Sequence, residues 1–156
     1  MKKIVFIILL IATVVTSCKN TKKEEKIKNL KEVNQEQAEG VLNTQWINDI
    51  QLNNGNNWEA NIETTEGVEK MQELLKSQTT TSIEDYHQLA NKLNDIKNNV
   101  LKECTMKGAS HDNLHVWLLP LIAKIDALSE AKTIEDAAKL KESIKENMNA
   151  YFDYFE

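Results

Sequence analysis

The sequence predicts an all-α fold: an antiparallel, up-down-up-down four-helix bundle preceded by an N-terminal arm. Three observations carry this. Four stretches place apolar residues every three or four positions, the spacing that lines one face of a helix. Capping or breaking residues bound these stretches. The connections between them are short, which makes sequential helices pack as antiparallel neighbours.

The chain opens with Met1-Lys2-Lys3 and an apolar run from Ile4 to Val15. That run has the length of a secretory core and is too short to span a bilayer comfortably. Val15-Thr16-Ser17-Cys18 follows, and this resembles the lipobox of bacterial lipoproteins. The resemblance implies cleavage after residue 17, a diacylglycerol on the Cys18 thiol and acylation of the new amino terminus. Each buried acyl methylene contributes about 0.8 kcal/mol, so two or three chains anchor firmly. The expected organisation is a signal peptide over 1–17, a lipidated cysteine and charged tether over 18–40, and an arm plus bundle over 41–156.

Acids outnumber bases, 24 to 19, and the formal net charge is −5. Every base is a lysine, and removing the signal peptide takes away Lys2 and Lys3 but no acid. An acidic chain without arginine lacks the basic patch that nucleic acid requires. Lys19 to Gln37 is too charged to pack alone and reads as a solvated tether. Its lysines and acids directly after Cys18 also resemble surface-export signals of Bacteroidetes lipoproteins. The expected location is the cell envelope, with the outer membrane favoured and its face left open.

Val41 to Asn61 mixes Trp46, Ile47, Ile50, Leu52 and Trp58 with many asparagines and Gly55. It reads as an arm, partly helical around 38–50, whose tryptophans anchor it on the bundle. A sugar-binding role for Trp46 or Trp58 is the alternative reading.

The first helix is expected from Thr65 to Ser77, with Val68, Met71, Leu74 and Leu75 on its apolar face. Thr64 or Thr65 would cap it, and Glu66 and Glu69 suit the positive end of its dipole. The second opens at Ser82-Ile83-Glu84-Asp85, a capping-box pattern. Its stripe is Tyr86, Leu89, Leu93, Ile96, Val100 and Cys104, and Gly108 is placed to terminate it. The third runs from Ser110 to Leu128, with His111, His115, Leu118, Ile122 and Ile125 on one face. Val116, Trp117, Leu119 and Leu121 widen its apolar surface, so it should be the most buried helix. Pro120 would kink it or remove a backbone bond. The fourth opens at Thr133 and carries Ala137, Leu140, Ile144, Met148, Tyr151 and Phe155.

The candidate site lies where the second and third helices meet. Cys104 is left without an intrachain partner once Cys18 is lipidated. His111 and His115 are one turn apart on a helix. Thiolate and imidazole together are ligands for copper and zinc. Met71 and Met106 are candidate thioether ligands that would favour copper, and Glu63 is a spare oxygen ligand at the same end. The alternative for Cys104 and for either methionine is plain core packing. His87 lies off the main stripe and reads as a solvated surface residue. No C-x-x-C-H is present, which excludes covalent haem. A b-type haem between Met71 and a histidine would resemble cytochrome b562, but the fourth helix has no histidine. A zinc hydrolase with Glu63 or Asp112 as base would need a nucleophile constellation that the chain does not show, so no catalytic residue is assigned.

Trp58 through Met71, and Cys104-Thr105-Met106-Lys107-Gly108 through His111 and His115, resemble a group of flavobacterial-type lipoproteins. That resemblance covers most of the mature chain and implies no particular activity. The leading expectation is a membrane-anchored lipoprotein binding copper or a similar soft metal, for electron transfer or for metal capture and delivery. The second is a non-catalytic interaction lipoprotein that docks another envelope protein.

Overall fold

Local capping chemistry sets where the helices begin. The computed structural model describes residues 40–156; the lipobox, Cys18 and the tether lie outside the described residues. Four helices dominate: α1 (Ile62–Ser77), α2 (Ile83–Glu103), α3 (Ala109–Glu130) and α4 (Ile134–Asn149). The described part of the chain is all-helical, and β pairing among the described residues is limited to two isolated bridges.

α2 starts on the capping box that its sequence announces. The Asp85 amide donates to Ser82 Oγ, while Asp85 Oδ2 accepts from the amides of Thr81 and Ser82 at 2.9 and 2.8 Å. The Asp136 amide likewise donates to Thr133 Oγ1 and starts α4. α1 differs from expectation. It begins at Ile62, and Asn61 takes the N-cap place assigned to Thr64 or Thr65. Thr64 is instead enclosed, its hydroxyl donating to Asn61 Oδ1 at 2.8 Å.

The Asp85 cap has a pH signature. The bonds from Thr81, then from Ser82, hold its carboxyl down from 3.8 to about 2. A folded-state pKa below the unfolded one adds stability that is complete above the unfolded value and lost as pH falls through the folded one. Thermal midpoints should therefore drop as pH is lowered from about 4 towards 2, and Asp85→Asn should flatten that part of the curve. Parallel acid titrations of the two chains check this, and identical slopes would remove Asp85 as the cause.

Hydrogen bonds between elements give the direction of each pairing. Asn61, before α1, donates to the Glu103 carbonyl at the end of α2, while Gln78, after α1, donates to Asp85. His87, early in α2, donates from Nε2 to the Ala131 carbonyl just past α3 at 2.9 Å. His87 is therefore half-buried and engaged, not the solvated side chain that its place off the stripe suggested. Trp117 of α3 bonds to Asn147, and Lys124 to Ser143, so α3 and α4 run oppositely. Thr65 meets Tyr151 and Gln72 meets Met148, so α4 also runs against α1. Each helix packs on the one before it, and α4 closes against α1.

The core collects the apolar faces. All six expected residues of the last stripe, Ala137 to Phe155, are buried, the final two beyond α4 in and after the 3-10 turn Ala150–Asp153. α3 runs unbroken through Pro120, which cannot donate to the Val116 carbonyl. Two lysines are also enclosed. Lys97 is 7 % and Lys124 1 % exposed, which their charge would not suggest. Lys124 Nζ donates to Asn147 Oδ1 at 2.9 Å, and burial pushes its pKa down against the pull of Glu146. The four ion pairs among the described residues are all solvent-exposed, so screening by water leaves them little part in stability.

The arm is less helical than expected: residues 40–42 are helical and Gln45–Asn48 form a 3-10 turn. Trp46 and Ile50 are buried as anchors. Asn54 and Gly55 both have positive φ between the bridged Asn53 and Asn56. An Asn-Gly pair suits such a tight turn because these residues enter the left-handed region most easily. The chain then reaches Trp58, whose amide donates to Tyr154 and whose carbonyl accepts from Glu156.

Candidate functional site

Six residues separate Cys104 from His111, and the backbone between them reverses direction. α2 stops at Glu103, and Cys104 already has an extended backbone. Gly108 sits at φ 63°, ψ −144° immediately before α3, a conformation open essentially to glycine alone. It therefore begins α3 as much as it ends the linker after α2. The reversal brings Cys104 Sγ to 3.9 Å from His111 Nδ1. His111 and His115 then stack one turn apart on α3, ring centroids 4.4 Å apart and tilted by 53°.

The three donors differ in exposure. Cys104 and His111 are half-buried, while His115 is exposed. The expected face of α3 carried both histidines into the core. The observed stripe is Leu114, Trp117, Leu118, Leu121, Ile125 and Leu128. Leu118 and Ile125 belong to both stripes, so the difference is a rotation of the helix. His111 lies one turn before Leu114 and stays at the core edge, whereas His115, one residue past Leu114, turns outward.

The other nominated residues have separate surroundings. Met71 is fully enclosed in the core, and Met106 is half-buried against it. Glu63 Oε2 accepts from Asn61 Nδ2 at 2.8 Å, and this bond lowers its pKa. The same Asn61 amide reaches the Glu103 carbonyl, so Glu63 lies at the end of the fold that carries Cys104. Among the described residues, no three His, Cys, Asp or Glu side chains converge closely enough to hold a metal ion unaided by movement.

Tyr151 is a neighbour of the site that the sequence presented only as a core residue. Burial raises its pKa, the bond to Thr65 opposes that rise, and Cys104 and Glu69 add to it. Its ring stacks on Phe155 at 5.0 Å and meets the edge of Trp117, also at 5.0 Å. These ring contacts tie α3 to the end of the chain.

A polar chain fastens the arm beside it. The Gln51 amide donates to Asn113 Oδ1 on α3 at 2.8 Å, and Trp58 Nε1 donates to the Gln51 carbonyl at 2.6 Å. Among the described residues, no helix is long and apolar enough to cross a membrane.

With this geometry in hand, comparison with known proteins adds no family. The chain matches no family model, no curated protein and no solved structure.

Proposed function

We propose that this chain is a lipid-anchored protein of the cell envelope that binds one soft metal ion, copper in preference to zinc, between Cys104 and His111. The role is metal capture and delivery or electron transfer, without catalysis by the chain itself. The observation that carries the metal reading is the 3.9 Å approach of Cys104 Sγ to His111 Nδ1. An ion held at ordinary zinc-like bond lengths, about 2.3 Å to sulfur and 2.0 Å to nitrogen, would subtend about 130° across that gap. That angle suits three-coordination, and His115, stacked on His111, is the third donor in this reading. It needs a side-chain rotation, which its exposure permits. Thiolate and imidazole select copper or zinc, and the thiolate favours Cu(I). Anchoring rests on the lipobox. The pairings of the helices support an up-down-up-down bundle with residues 41–61 as its arm.

A second reading has its own support. The thiol and imidazole already stand within weak hydrogen-bonding reach, and the donors do not converge on one point. On that reading the pair closes the bundle end, and the lipoprotein acts by docking another envelope protein.

One preparation separates the two. The full sequence is expressed with copper and zinc supplementation, and the processed chain is extracted from membranes with detergent and analysed for metal. About one copper per chain is expected, and Cys104→Ser should weaken Cu(I) binding by more than about 100-fold, because loss of a mere supporting contact already costs about 10–100-fold. Metal-free protein, or unchanged affinity in Cys104→Ser, would leave the docking reading. Recovery only in the soluble fraction would remove the anchor.

A further inference from the structure

A cleft of about 450 Å³ opens between the asparagine turn of the arm, Trp58 and the start of α3. Its volume falls in the range of small-molecule sites, about 300–1,000 Å³. None of its walls is Cys104, His111 or His115, so it stands apart from the metal reading. Its chemistry is distinctive. Apart from Trp58 and Ala109, every lining side chain is polar or charged. That excludes a predominantly apolar ligand, which needs hydrophobic walls. Two carboxylates, Glu59 and Glu156, face one ammonium, Lys107, so an anion is also disfavoured. A cation or a neutral ligand dense in hydroxyl groups remains, and the amides of Asn53, Asn56 and Asn57 favour the neutral one.

The walls are built for such a ligand. An asparagine amide offers a donor and an acceptor on neighbouring atoms, which matches adjacent hydroxyls that both give and accept hydrogen bonds. Trp58 is held from two sides, by its indole N–H on the Gln51 carbonyl and by its backbone paired with Tyr154 and Glu156. Asn57 Nδ2 donates to the Phe152 carbonyl at 3.1 Å, which fixes the wall next to it. A half-buried tryptophan so fastened presents part of its ring without further ordering cost on binding. The negative face of an indole attracts the positive C–H edge of a sugar ring.

We propose that this cleft binds a neutral oligosaccharide, with one sugar ring against Trp58 and its hydroxyls bonded by Asn53, Asn56 and Glu59. The test titrates the processed full-length chain in detergent with cellohexaose, maltohexaose, mannohexaose and xylohexaose. At least one should bind with a Kd of about 1 mM or tighter. Trp58→Ala should weaken that binding by at least about 10-fold. Because Trp58 also fastens the arm, Asn56→Ala is the second variant; its backbone makes the turn while its side chain is exposed. It should weaken binding about fivefold, the loss of one ordinary hydrogen bond. Cys104→Ser should bind sugar as the unaltered chain does, even where copper binding is lost. Silence of all four sugars at about 10 mM overturns the proposal, and so does equal binding by both cleft variants. Preference for a charged polyuronate over every neutral hexamer overturns it as well, and loss of sugar binding in Cys104→Ser would move the ligand to the thiol and overturn the cleft.

Discussion

Trp117→Ala is expected to cost about 3–5 kcal/mol of folding stability, the range for emptying a buried tryptophan site. Trp117 is fully enclosed. Its Nε1 donates to the Asn147 carbonyl at 2.8 Å, and Asn147 Nδ2 returns a bond to the Trp117 carbonyl at 3.2 Å. The same asparagine accepts from Lys124, so one ring organises the contact of α3 with α4 and the solvation of a buried cation. The ring also forms an edge contact with Tyr151, worth about 0.5–1.5 kcal/mol beyond its buried area. At roughly 3–5 °C per kcal/mol for a domain of this size, the thermal midpoint should fall by about 10–20 °C. Trp117→Phe keeps most of the volume and loses the N–H donor, so it should cost only about 1–2 kcal/mol. Thermal unfolding followed by circular dichroism checks the order. An alanine variant melting within a few degrees of the parent would mean that the α3–α4 contact is organised elsewhere.

The second large effect is at Gly67 of α1, which lies against Val100 of α2. Gly67 is buried, and a Cβ placed there would overlap Val100 Cγ2, with Val100 Cβ at 3.6 Å. Val100 is itself enclosed and β-branched, so it has little freedom to turn aside. Helix propensity alone says that Gly67→Ala should stabilise by about 1 kcal/mol. The overlap should reverse that sign and leave a net loss of about 1–2 kcal/mol, rising to about 3 kcal/mol or more for Gly67→Val. Combining Gly67→Ala with Val100→Ala tests the cause, because it opens the space that the new methyl needs. The pair should be coupled favourably by about 1 kcal/mol or more. Chemical denaturation of the four chains of this cycle gives the answer, and a Gly67→Ala chain more stable than its parent would show that the helices separate at little cost.

Much of the helical pattern was legible because it is local. The Ser82 and Thr133 caps and the stripe from Ala137 to Phe155 depend on residues within a few positions of one another. The stripe of α3 was less legible. Apolar residues lie almost all round it, so two faces sharing Leu118 and Ile125 fit the spacing equally well. Only contact with α2 and α4 selects the face bearing Leu114 and Trp117, and that choice turns His115 outward. Lys97 and Lys124 are of a residue type almost never enclosed. Their burial follows from neighbours distant in sequence, and for Lys124 from Asn147 in particular.

By itself the sequence determined how many helices form after residue 61 and nearly where each starts, and it set Cys104 and His111 on either side of one short break. The stops were less legible: α2 ends at Glu103, short of Gly108, and α4 ends at Asn149, short of Phe155. The tertiary structure decided what the side chains face. It enclosed Met71, joined Glu63 to Asn61, bonded Tyr151 to Thr65, and paired Trp58 with Tyr154 and Glu156 to wall a polar cleft. The reason is physical: spacing and capping act over one or two turns, whereas the rotation of a helix and the partner of an arm depend on packing against residues far away in the chain.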